Sequence, residues 1–238
     1  MRLKKTALWA IIAGLLTALA LTGCTGKILP VKCIGVDADY ASILQWDGVM
    51  YYDDTGPDPA PLGKGKEIGK ITYSKSEQKC PRAELQDGDA TNLKTGTLLY
   101  EVEGYKTSAR LWAGDRLYEA RNNPDANTLN DLLDIEGKIQ TVRFVSGNDG
   151  SDLMDFTPEA NAVFIREFPK LEYIPFEQLY KQTKGWVGDK YWLEIEMTDG
   201  SSIGITYNTL SPSFNPSAYA TPELAELVEQ QRKLIYAQ

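Results

Sequence analysis

The chain contains no histidine, and that absence decides most of what its side chains can do. Ser-His-Asp and Cys-His catalysis, imidazole zinc sites and histidine-ligated haem all require that ring. A carboxylate pair or a Ser-Lys dyad stays open, but no spacing singles either out, so no catalytic residue is assigned and no cofactor is expected. Asn148-Asp149-Gly150-Ser151-Asp152, with Asp155, carries the oxygen ligands that calcium takes. An EF-type loop places its glycine sixth, and here the glycine comes too early. The stretch therefore reads as a solvated turn, as does Asp87-Gly88-Asp89, and no metal is expected. Gly63-Lys64-Gly65-Lys66 lacks the Gly-x4-Gly-Lys-Ser/Thr spacing of a phosphate loop and reads as a flexible surface loop. Trp46, Tyr51, Tyr52, Trp112 and Trp186 could stack on sugar faces. Such rings serve equally in the interior and at the edges of small β-domains, and core packing is the expectation.

The remaining reactive side chains are three thiols, Cys24, Cys33 and Cys80. Arg2, Lys4 and Lys5 precede an apolar run from Ala7 to Leu21, interrupted by Gly14 and Thr17. Its length suits a signal-peptide core and falls short of the roughly 20 residues of a spanning helix. Leu21-Thr22-Gly23-Cys24 then gives a branched apolar residue, two small residues and a thiol. This resembles the lipobox of bacterial lipoproteins, and the resemblance is confined to this N-terminal segment. It implies cleavage before Cys24, lipidation of Cys24 as a diacylglycerol thioether, and a chain held at the extracytoplasmic face of the cell membrane. Two or more acyl chains, at about 0.8 kcal/mol per buried methylene, hold a protein firmly. An ordinary cleaved signal, or an uncleaved anchor with an incidental cysteine, is the alternative.

Export would place Cys33 and Cys80 where disulfides persist. A Cys33–Cys80 bridge closes a loop of about 48 residues, which the chain-entropy model values at about 4 kcal/mol. The other reading is two unpaired thiols, one in a strand and one in a turn before Pro81. Neither has a base to activate it as a nucleophile.

The formal charge is −8, and loss of the leader removes three cations and no acid. An acidic surface argues against nucleic acid and against electrostatic docking to anionic lipid. The elements read as α+β and predominantly antiparallel β: a small β-rich N-terminal half and a sheet-and-helix C-terminal half. In this reading residues 1–23 are the signal peptide, 24–35 a lipid-anchored linker, 36–121 a β-rich domain and 138–238 an α+β domain.

In the first half, Ile43 to Trp46 and Val49 to Tyr52 flank Asp47-Gly48, a type I′ hairpin signal. Gly56 to Lys66 reads as a Pro/Gly loop and Glu67 to Tyr73 as a strand. Thr97 to Glu103 alternates, Leu98, Tyr100 and Val102 against Leu99, Glu101 and Glu103, and a second hairpin is expected around Trp112 to Asp115. The turn formers Arg121 to Asn127 mark the boundary. Beyond it, Ile139 to Val145 reads as a strand. Thr157-Pro158-Glu159 opens a helix that Pro169 should stop. Tyr191 to Tyr207 reads as a hairpin around Asp199-Gly200, with Leu193, Ile195 and Met197 on one face and Glu194 and Glu196 on the wet one. Tyr207 to Tyr219 reads as a loop, and Thr221-Pro222-Glu223 starts a final helix.

The pattern of strands and helices loosely resembles uncharacterised lipoproteins of Gram-positive bacteria, which carries no activity over. The expectation is a non-enzymatic envelope lipoprotein, a binding or interaction module. Its partners are the membrane, through the lipid on Cys24, and an envelope protein or glycan. The alternatives are a carboxylate-dependent hydrolase of cell-wall polymer and a solute-binding lipoprotein.

Overall fold

The computed structural model describes residues 41–53, 62–185 and 187–236. Strands β1 (Ile43–Trp46) and β2 (Val49–Tyr52) pair around Asp47 and Gly48. Both turn residues take positive φ, 50° and 74°, as a type I′ turn demands. They join β3 (Lys64–Lys70), β4 (Tyr73–Ser74), β5 (Asp89–Ala90), β6 (Leu98–Val102), β7 (Arg110–Ala113) and β8 (Arg116–Asn122) in one eight-stranded sheet, ordered β3-β6-β7-β8-β2-β1-β5-β4. A six-stranded sheet runs β10-β9-β11-β12-β13-β14. Its members are β9 (Ile139–Val145), β10 (Asp152–Asp155), β11 (Lys190–Met197), β12 (Ser202–Asn208), β13 (Ser213–Asn215) and β14 (Ala218–Tyr219). Every pairing of named strands is antiparallel except β4 with β5. The fold is thus α+β with mostly antiparallel strands. Among the described residues no helix is long and apolar enough to cross a membrane.

Four α-helices punctuate the described strands: α1 (Leu129–Leu133), α2 (Pro158–Glu167), α3 (Phe176–Gln182) and α4 (Pro222–Leu234). The two longer ones start as their sequences require. Thr157 and Thr221 accept from the amides of Ala160 (3.3 Å) and Leu224 (3.2 Å), each with proline at the first helical position. Phe164 and Phe168 stack at 4.7 Å, and Phe214 of β13 meets them edge-on at 5.9 and 5.2 Å. These rings, with Leu224 and Val228 of α4, join the core formed by the buried face of the six-stranded sheet: Val142, Phe144, Leu193, Ile195, Ile203 and Ile205. Buried side chains of the eight-stranded sheet, Leu44, Tyr51, Leu99 and Leu111 among them, belong to the same cluster.

Several elements differ from expectation. The loop expected to run to Lys66 ends earlier, because Lys64 already belongs to β3. That strand lies at the sheet edge, where irregular pairing and glycine are tolerated. The helix does stop before Pro169, at Glu167, but the chain continues into a 3-10 turn, Phe168–Lys170, where the proline's missing N–H costs nothing. The stretch from Tyr207 to Tyr219 carries β13 and β14, held by the burial of Phe214. Helix α1 is short but closed by a capping box between Thr128 and Asp131, with Leu129, Leu132 and Leu133 buried.

One buried ion pair links the sheets. Arg110 of β7 and Glu119 of β8 are cross-strand partners, 1% and 2% exposed, with Nη2 and Oε1 at 2.9 Å. Arg110 Nη1 donates to Ser201 Oγ (2.8 Å) in the turn between β11 and β12. The Tyr105 ring covers the guanidinium at 4.4 Å, and its hydroxyl donates to Asp199 (2.6 Å) in that turn. The second Glu119 oxygen lies 3.7 Å from Arg121 Nη2.

Removing one partner strands a buried charge, so Glu119→Ala is expected to lower the unfolding free energy by about 3–5 kcal/mol in urea. A double Arg110→Met, Glu119→Leu variant should recover most of that loss. A Glu119→Ala cost below about 1 kcal/mol would contradict the role given to the pair.

Stability should fall at both pH extremes. The Thr128 hydroxyl and the Asn127 and Thr128 amides hold the Asp131 carboxyl below its usual range. Burial raises Asp199, but hydrogen bonds from Tyr105 and Ser201 and the Arg110 charge outweigh it and leave this carboxyl low as well. Burial pushes Tyr105, Tyr118 and Tyr207 up to about 12. The lowered carboxyls stabilise above about pH 4 and lose that contribution on acidification. The raised phenols stabilise below about pH 10 and lose theirs above it. Thermal unfolding across pH should show a plateau between these limits, and Asp131→Asn should flatten the acid limb.

Candidate binding groove

Because side chains alternate along a strand, the six-stranded sheet has a second face opposite its core-facing side chains. Register lines one row across it: Val145 opposite Trp192, Trp192 opposite Thr206, Thr206 opposite Asn215. These four residues, with Gly204 two positions from Thr206, line a groove of about 760 Å3. That volume lies within the range of small-molecule sites. Trp192 is 45% exposed there.

The eight-stranded sheet contributes Met50, Tyr52, Arg121 and Asn122. Adjacent strand residues normally point to opposite faces, yet Arg121 and Asn122 both reach the groove. The register of β2 on β8 shifts between Met50, paired with Asn122, and Tyr51, paired with Ala120. Arg121 is the extra residue of this bulge, a device that re-aims side chains. Pro175, Phe176 and Glu177, at the start of α3, complete the lining, with Phe176 42% exposed and stacked on Tyr180 at 5.7 Å.

Two glycines shape the surface. A Cβ at Gly147, in the turn after β9, would collide with the Trp192 indole, so the ring is seated directly on that backbone. A Cβ at Gly204 would meet nothing within 4 Å, so the missing side chain leaves open groove instead of making room for a neighbour.

The groove offers aromatic faces, two amides, a threonine hydroxyl, a guanidinium and one carboxylate. Hydrolysis by paired acids needs two carboxylates about 5–10 Å apart. Glu177 is the one carboxylate among its described lining residues. The chain matches no family model, no curated protein and no solved structure. What the groove can do rests on its own geometry.

The residues marked in the sequence fall elsewhere, with one exception. Tyr52 lines the groove, whereas Tyr51 and Trp112 are buried and Trp46 packs against the core. Trp186, Cys24 and Cys33 lie outside the described residues. Cys80 is exposed and disulfide-bonded.

The acids of the calcium candidate are otherwise engaged. Asp149 accepts from Ser151, and Asp152 and Asp155 form β10 and pair with Arg143 at 2.9 and 3.1 Å, beside Glu196. Among the described residues no group of three or more acidic or cysteine side chains is placed to hold a metal ion. Lys64 pairs with Asp115 at 2.7 Å, from a strand and not from a flexible loop.

Trp192, Phe176 and Arg121 line the groove without belonging to any motif of the sequence. The signal for Trp192 was present: it occupies the wet face of its hairpin, in phase with Glu194 and Glu196.

Gly147→Ala should unseat the indole while costing little stability, since the turn is exposed. The expected result is a change in the Trp192 contribution to emission, obtained by difference from Trp192→Phe, with an unfolding free energy within about 1 kcal/mol of the parent. An unchanged Trp192 signal would refute the seat.

Proposed function

We propose that this chain is a membrane-tethered envelope lipoprotein, held by a lipid on Cys24 at the extracytoplasmic face, and that it acts as a non-enzymatic binding module through the groove. The observation that carries the binding role is the row Val145, Trp192, Thr206, Asn215. It sets an exposed indole and polar side chains facing one cavity of about 760 Å3. Such a mixture, mainly apolar with a few placed polar groups, is what small-molecule sites present. The lipobox at Leu21 to Cys24 supports the tether, and the acidic charge supports a surface that holds no nucleic acid. In this reading residues 36–121 are the small β-rich half, residues 138–238 the sheet-and-helix half, and Cys33 the partner of Cys80.

The groove also favours the solute-binding alternative over a purely protein-binding surface, because its lining is concave. It gives less support to a cell-wall hydrolase, for which the described lining residues supply Glu177 without a second acid.

Expression of the full chain in a bacterial host with labelled palmitate tests the tether. Label and membrane association are expected in the parent, with both lost in Cys24→Ser, and peptide mapping without reductant should recover a Cys33–Cys80 pair. Incubation of the purified protein with cell-wall polymer tests the rest. Turnover that disappears in Glu177→Gln would overturn the non-enzymatic reading.

A further inference from the structure

We infer that the groove binds a saccharide, with a pyranose ring stacked on Trp192; this rests on reading the groove as a binding site. The lining treats each class of occupant differently.

A peptide added as an extra strand needs free backbone donors at a sheet edge. The floor strands β9, β11, β12 and β13 are each paired on both sides, so their main-chain groups are already committed. Recognition must therefore come from side chains. A purely apolar occupant would cover Trp192 and Phe176 well. It would also take the Thr206 hydroxyl and the Asn215 amide out of water without giving them partners, at a cost for each.

A pyranose avoids both difficulties. Its C–H face is apolar and suits an indole, while its equatorial hydroxyls radiate in the plane of the ring, each able to donate and accept. On the floor, Thr206 is the direct cross-strand neighbour of Trp192, and Asn215 is the neighbour of Thr206. A hydroxyl and an amide thus stand beside the stacking platform, in the direction a sugar's edge would point. Glu177 at the start of α3 supplies a further acceptor, and the β8 bulge turns to the groove Asn122, whose Oδ1 accepts from Tyr173 (2.9 Å) and whose amide NH2 can donate, and Arg121, which also faces Glu119.

Two features give the platform its form. Trp192 is held by its contact with Gly147, so little is lost in fixing the ring when a ligand stacks. Gly204 leaves the floor beside it empty. Glycine weakens a strand interior, and here no neighbouring atom asks for it; close approach of a ligand does.

Calorimetric titration of the full-length lipoprotein, in a detergent without a sugar headgroup, tests the inference. The saccharide probes are the tetramers of β-1,4-linked N-acetylglucosamine, β-1,4-linked glucose and α-1,4-linked glucose. Adenosine, lauric acid and an uncharged hexapeptide represent the other classes. At least one tetramer should bind saturably. Trp192→Ala and Gly204→Val should each weaken it by about tenfold or more, with unfolding midpoints at or above the parent's for the valine variant. Saturable binding of adenosine, lauric acid or the peptide, with no saccharide bound, overturns the ligand class and leaves the groove as a binding site. Saccharide binding that survives both substitutions places the site elsewhere and overturns the inference. No binding by any probe, with the parent folded, counts against the groove reading and the inference together.

Discussion

Glu119 is the carboxylate on which the arrangement of this molecule turns. It is 2% exposed and stands between two guanidiniums, Arg110 at 2.9 Å and Arg121 at 3.7 Å. Taking such charges out of water costs several kcal/mol per ion, and the cost is met only if every neighbour is in place. The neighbours are drawn from separate parts of the chain. Ser201 and Asp199 come from the β11–β12 turn, Tyr105 from the loop before β7, and Arg121 from the β8 bulge. The pair therefore specifies how the eight-stranded sheet meets the β11–β12 hairpin. Since Arg121 also lines the groove, the geometry of that wall depends on the same buried charge.

The second constraint is the alternation of β11 and β12. One face of this hairpin belongs to the core, where Leu193, Ile195, Ile203 and Ile205 are almost fully buried. A one-residue slip in register would exchange the faces and bury Glu194 and Glu196, so packing fixes the register strongly. The same packing fixes the outer row. Trp192, Thr206 and Asn215 need no contact with one another to be aligned, because the core on the far side aligns them. A binding surface built on paired strands is better defined than one built on loops.

Elements whose local signals and tertiary packing agree could be read directly from the chain. The Asp47-Gly48 turn, β9, the β11–β12 hairpin and the capped helices α2 and α4 are of this kind. Those missed are short: α1 spans five residues, α3 seven and β13 three. Helices of that length are not stable alone and exist because Leu129, Leu132 and Leu179 find a core. The groove was less legible still. It joins residues as far apart in sequence as Met50 and Asn215, and no periodicity announces that Met50 and Trp192 line one cavity. Arg121 was read as part of a turn-rich boundary. Its role follows from a bulge, which is a property of strand pairing and not of composition.

The chain departs from its own local rules at a few legible positions. Trp192 places a large apolar ring on the wet face of a hairpin. Gly204 interrupts a strand that is otherwise rich in β-formers. Phe176 and Tyr180 put a stacked aromatic pair on the exposed side of a short helix, 42% and 47% exposed. Each is mildly unfavourable for folding, and each alone would pass as noise. Residues that break local consistency without a structural return tend to mark function. Trp192, Gly204 and Phe176 come from three different elements and converge on one groove. Stability alone gives no reason for that convergence, since none of the three fills the core or satisfies a buried group. A ligand that stacks on the indole, occupies the space Gly204 leaves and touches Phe176 accounts for all three at once.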